Sequence, residues 1–170
     1  MSTAMSMYQA AIPGLVQSLH ALAGVLAKSE ASATERGIAP SVLLGARLAP
    51  DMLPLTAQVQ IASDTAKRVP SVLSGRETPS WPDVEATFAD LQARIAKTVE
   101  HLGSFKPEDI DGSENLKFTL KLGANEVPFI GLPYLIHFAI PNFYFHVATA
   151  YGILRENGVP IGKRDFIGKL

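Results

Sequence analysis

Apolar residues return along this chain at helical spacing. Between Ser6 and about Ser29, the residues Tyr8, Ile12, Leu15, Leu19, Leu22 and Leu26 recur at alternating steps of four and three. That rhythm places one face of a helix against a core. Ser6 and Gln9 have the spacing of a capping box, and Pro13 is expected to kink or delay the first turns. A polar stretch from Ser29 to Pro40 follows, with a short connecting helix expected over Val42 to Leu48.

The second stripe is Met52, Leu55, Val59, Ala62, Ala66, Val69 and Leu73. It is expected to open at Asp51 as N-cap, bend near Pro70 and end at Gly75. The third is Val84, Phe88, Leu91, Ile95, Val99 and Leu102, with Ser80 and Asp83 as cap and box and Gly103 as stop. Between Leu116 and Ile130 the period changes from helical to alternating. Phe118, Leu120 and Leu122, a turn from Gly123 to Glu126, then Val127 and Phe129 predict a small β-hairpin, with Pro128 marking an edge. A fourth helix is predicted from about Leu132 to Asn157, broken or kinked by Pro141 and ended by Gly158 and Pro160. The tail, Val159 to Leu170, has no period and is expected to lie over the helices as coil. The fold class is therefore all-α: a four-helix bundle with a small β-hairpin between the third and fourth helices, in a single domain over residues 1–170.

Composition narrows the function more than the fold. Hydrophobic residues make up 47% and charged residues 18% of the 170 positions, which suits a packed globule. Fifteen basic residues stand against sixteen acidic ones, so no net field favours nucleic acid. The absence of cysteine removes disulfides, thiolate nucleophiles and Cys-based metal sites. Met1 to Tyr8 lacks the basic and apolar parts of an export signal, and a cytoplasmic location is expected. Val127 to Leu154 carries no charged side chain over a length that could span a bilayer. Its three prolines, its two histidines and Asn142 argue instead for the buried centre of a bundle, with no membrane as partner.

The candidate chemistry lies in that uncharged segment. Asn142 and His146 are four residues apart, so they share one helix face, a spacing that can aim two groups at one ion. They can equally satisfy the backbone freed by Pro141 and sit as a hydrogen-bonded core histidine. His137 falls nine residues before His146, about 180° around an ideal helix, and should not join it. His20 and His101 are expected at the surface or at a cap. Gln58 borders the second stripe closely, whereas Gln60 reads as a boundary residue. Asp64 is expected to pair with Lys67 or Arg68 in solvent. The aromatic residues Tyr134, Phe138, Phe143, Tyr144, Phe145 and Tyr151 are expected to fill the core. Arg155 and the Lys163-Arg164 pair could meet an anion, although solvated cations near a helix end are the commoner case. No phosphate loop, G-x-S-x-G elbow, H-E-x-x-H or Glu-x-x-His pair is present.

Four stretches together resemble a bacterial family of uncharacterised proteins within the DinB/YfiT-like superfamily of four-helix bundles. They are Ser6-Met7-Tyr8; Arg47-Leu48-Ala49-Pro50-Asp51-Met52 with Gln58-Val59-Gln60; Pro141-Asn142-Phe143-Tyr144-Phe145-His146; and Gly162-Lys163-Arg164-Asp165-Phe166. The resemblance covers nearly the whole chain. It implies a divalent metal, zinc or nickel, held in the superfamily by three histidines, one on the second helix and two on the fourth. The matching positions here are Gln58, with Gln60 as the other possibility, Asn142 and His146, so one imidazole of three is kept. Amides are weak ligands for zinc or nickel. The expected function is thus a small-molecule-binding or structural bundle with a degenerate metal site. The alternative is a metal-dependent thiol transferase, isomerase or hydrolase whose site is completed by water, Asp51 or Tyr144. The resemblance also implies a homodimer.

Overall fold

The computed structural model describes residues 4–169; the first residues of the stretch read for an export signal, and Leu170 of the tail, lie outside the described residues. The first stripe forms α1 (Met7–Glu35), opened by the expected box: Ser6 Oγ accepts from the Gln9 amide at 3.2 Å and Gln9 Oε1 accepts from the Ser6 amide at 3.1 Å. Pro13 lies inside α1 without ending it. The helix also runs past the expected end at Ser29, because Ser29, Ser32 and Ala33 are buried. The hydroxyls of Ser29 and Thr34 each donate to the carbonyl four residues back, so these small polar residues stay within the helix. The expected connecting helix is displaced toward the N-terminus, to α2 (Pro40–Leu44), with Pro40 in its first turn.

The second stripe forms α3 (Leu55–Leu73), and Leu55, Val59, Ala62, Ala66 and Val69 are wholly buried. Asp51 is not its N-cap. Pro54 occupies that position, and Asp51 stays exposed in the preceding turn, since Pro54 fixes an extended entry one residue before the first helical position. The third stripe also starts later than expected. α4 (Phe88–Gly103) is opened by Thr87, whose Oγ1 accepts from the Asp90 amide at 3.1 Å while Asp90 Oδ2 accepts from the Thr87 amide at 2.9 Å. Ser80 and Asp83 therefore do not cap it, and Val84 is exposed. Pro79 and Pro82 hold residues 76–86 as a non-helical strap instead.

After α5 (Pro107–Ile110), β1 (Lys117–Leu122) pairs antiparallel with β2 (Asn125–Ile130), from Lys117 opposite Ile130 to Leu122 opposite Asn125. The turn is two residues, tighter than the expected four, and Gly123 at φ 62° supplies its positive dihedral. α6 (Gly131–Tyr134), a π-helical turn (Leu135–Ala139) and α7 (Ile140–Glu156) then follow without a gap. The π turn is how the chain absorbs Pro141, which has no amide hydrogen to return to the carbonyl four residues back. The tail is not coil throughout: Lys163–Ile167 form α8, with Asp165 Oδ2 accepting from the Gly162 amide at 2.8 Å. A five-residue helix is too short to show a period.

α3 packs against α4 and α7, and α1 against α4 and α7, so the four long helices close a ring with α1 opposite α3. The two long connections, residues 36–54 and 104–130, are the ones that must cross the bundle between opposed helices. Among the described residues, α1 is the helix long and apolar enough to cross a membrane by length and composition, with mean hydropathy 1.5. Half of its most apolar stretch is buried, and the buried positions are the stripe facing the other helices.

Candidate functional site

The apolar faces of α3 and α7 meet along the bundle, and each carries a few polar side chains into the contact. Gln58 is buried at the start of α3 and His146 is buried in the middle of α7. The Gln58 amide nitrogen donates to the Leu53 carbonyl at 3.0 Å, which turns the Gln58 oxygen toward His146. That oxygen lies 2.7 Å from His146 Nδ1. A carboxamide oxygen can only accept, so Nδ1 carries the hydrogen and Nε2 keeps its lone pair. Burial pushes the His146 imidazole below its ordinary value of 6.5, so the ring is neutral at about pH 7. Nε2 has no hydrogen-bond partner among the described residues. The exposed Phe145 ring stands edge-on to the imidazole, 5.2 Å between centroids.

Asn142, one turn earlier on α7, does not join this pair. Its amide nitrogen donates to Thr65 Oγ1 at 2.8 Å, two turns along α3 from Gln58. The helices run past each other so that the two contacts form separate rungs, Gln58 to His146 and Thr65 to Asn142. Thr65 was not foreseen as a participant, since a threonine beside the apolar stripe of α3 gives no sign of its partner. Gln60 is also buried, contrary to the boundary reading, and its amide donates to Glu85 Oε2 at 2.7 Å. Tyr144 points toward α1, where its hydroxyl accepts from Ser18 at 3.1 Å. Asp51 is exposed, as are His20 and His137.

A second polar cluster, between α3, α4 and the strap, escaped the sequence reading. Arg94 is buried, and its guanidinium meets Glu85 at 2.9 Å, Asp64 at 2.7 Å and Asp83 at 2.9 Å. Asp64 also meets the buried Lys67 at 2.6 Å, so its partners are Lys67 and Arg94 rather than Arg68. Burial opposes the charge on Glu85, yet hydrogen bonds from Gln60 and Arg94 hold its carboxyl below the ordinary range. His101 is half-buried in the last turn of α4: its Nε2 lies 3.2 Å from Ser71 Oγ and 3.2 Å from the Lys67 carbonyl, with Trp81 and Phe105 edge-on to the ring. Burial pushes its imidazole down as well. The Trp81 ring is flanked by the ammonium groups of Lys67 at 4.4 Å and Lys97 at 4.5 Å. This cluster joins α3, α4 and the strap by compensated charge.

The donor set fits a divalent ion poorly. Among the described residues no group of three or more His, Asp or Glu side chains is placed to hold a metal. The Gln58 oxygen already accepts from His146, and the Asn142 nitrogen, not its oxygen, is the atom engaged with α3. What the site offers is an oriented, uncharged imidazole with one open nitrogen.

The fold has a known counterpart. A crystal structure of a DinB family member protein from Shewanella denitrificans superposes with a TM-score of 0.87 at 36% identity, over 96% of this chain and 93% of that one. No curated protein matches the chain. The family model described as Domain of unknown function (DUF1993) matches residues 7–167, and the chain belongs to that family, a DinB-like four-helix bundle with a small β-hairpin.

Proposed function

We propose that this chain is a small-molecule-binding or structural bundle whose metal position, as the resemblance implies it, is replaced by a fixed hydrogen-bonded pair. One observation carries the reading: the 2.7 Å bond from His146 Nδ1 to the Gln58 oxygen, which occupies the atom a metal would need from α3. In this role Gln58 sets the tautomer of His146, and the open Nε2 accepts a hydrogen from a bound small molecule. A cytoplasmic homodimer belongs to the same proposal and rests on the resemblance alone.

A second reading has one observation in its favour. A metal-bound histidine usually donates its other ring nitrogen to a carbonyl or carboxylate, and His146 donates to Gln58 in that manner. Under it, His146 would be the principal protein ligand of an open site in a metal-dependent enzyme. Metal analysis of protein purified without an affinity tag separates the two. Substoichiometric zinc, nickel and manganese, unchanged in His146→Ala, is the expected result. Stoichiometric metal that disappears in His146→Ala overturns the proposal in favour of the second reading.

A further inference from the structure

An open cavity lies on another face of the molecule, between the outer side of α1 and the tail. It encloses about 860 Å³, within the range of small-molecule sites, and none of its lining residues comes from α3 or α7. Its floor on α1 includes Pro13, Val16, Ala21 and Gly24, one face of the helix at steps of three to five. Two side-chain contacts fasten α8 along this face. The Gln17 amide donates to the Ile167 carbonyl at 3.1 Å, and Lys28 meets Asp165 at 2.6 Å. Gly168, at φ 82°, lies so close to Ala21 that a Cβ there would come within 3.1 Å of the Ala21 Cβ.

Two features of the trough point to an occupant. Gly24 sits in mid-helix, where glycine is disfavoured, and a Cβ built on it would meet no atom within 4 Å. The backbone is therefore bare where the trough is empty. The charge of the rim is unbalanced: Asp165 is matched by Lys28, while Arg164 and Lys169 line the trough with no carboxylate partner among the described residues. The Lys163-Arg164 pair singled out in the sequence thus contributes one free guanidinium to an apolar trough. Arg164 adjoins Asp165, which is held by Lys28, one turn along α1 from Gly24.

We propose that this trough binds an amphipathic organic anion of the fatty-acid type, its apolar body laid along α1 over Gly24 and its carboxylate on the Arg164 guanidinium. A guanidinium offers a carboxylate two parallel hydrogen bonds. From Gly24 to Pro13, α1 extends about 16 Å, the length of a twelve-carbon chain. A second copy of this chain suits the trough less well, because a two-fold pairing of this face would set two basic rims against each other.

Titration calorimetry with dodecanoate below its micellar concentration, with dodecanol as the uncharged control, tests the proposal. Saturable one-to-one binding of dodecanoate, at least about tenfold tighter than dodecanol, is expected. Gly24→Phe, which fills the trough, and Arg164→Gln should each weaken binding by about tenfold or more while thermal melting shows the fold intact. Should Gly24→Phe fail to fold, Arg164→Gln alone decides, since its side chain is at the surface. Equal affinity for dodecanol, or dodecanoate binding unmoved by Arg164→Gln, overturns the proposal. So does sedimentation that finds a dimer dissociated by Gly24→Phe, or binding confined to phosphatidylglycerol vesicles. None of these results bears on the metal content of the His146 site.

Discussion

A buried imidazole and a buried amide are each unfavourable alone, and each is acceptable here because of the other. Leaving water costs His146 its protonated form, while the Gln58 oxygen satisfies the hydrogen left on Nδ1. Removing one partner should therefore cost more than removing both. We predict that Gln58→Leu lowers stability by about 1–3 kcal/mol, because Nδ1–H is left buried and unpaired. His146→Leu in the same background should recover much of that loss. Denaturant unfolding of the two single variants and the double variant measures the coupling. An additive cycle would mean that the 2.7 Å contact contributes nothing to stability.

Elements are held by contacts that periodicity does not carry. The strap of residues 76–86 lacks helical or strand bonding, and Arg94 on α4 binds it through Glu85, Asp83 and the Pro82 carbonyl while also reaching Asp64 on α3. Arg94→Met keeps much of the volume and removes the charge, leaving Glu85 with Gln60 as its remaining side-chain partner. A loss of about 3 kcal/mol is expected, at the lower end for a broken buried pair because Asp64 and Asp83 are partly solvated. A midpoint unchanged in urea would show that the strap is held by packing alone. The start of α6 depends on a different constraint. A Cβ on Gly131 would come within 1.9 Å of the Ser113 carbonyl oxygen, a backbone atom that cannot rotate away. Gly131→Ala should therefore destabilise the chain by about 3 kcal/mol, and a thermal midpoint equal to that of the parent would contradict this close approach.

The molecule as a whole should lose stability in two stages as pH falls. His101 and His146 both have folded values below 6.5, so the unfolded chain binds protons more readily, and stability declines as pH drops through 6.5 toward their folded values. Glu85 is held below 4.5 in the folded state, so its contribution is complete above 4.5 and is lost as pH falls through its folded value. Urea unfolding from about pH 7.5 to 3 should show both declines. His146→Gln should reduce the first and leave the second. A stability that rises between neutral pH and 5 would contradict the buried, neutral state assigned to both histidines.

What the sequence determined by itself is the set of faces. The stripes in α1, α3 and α4 and the alternation in the hairpin follow from local spacing, because burial of one face repeats with the period of the element. For the same reason Gln58 could be placed beside its stripe, and Asn142 and His146 on one helix face, from residue numbers alone. Tertiary structure decided everything that depends on which faces meet. Asn142 pairs with Thr65 because α3 and α7 pass each other in one register, and no spacing within either helix records that register. Arg94 is buried because acids from two other elements converge on it, and the trough exists because a five-residue helix returns to α1 across more than a hundred residues of chain. Periodicity reports how a residue sits within its own element, whereas the partner of a polar side chain is fixed by packing between elements distant in sequence.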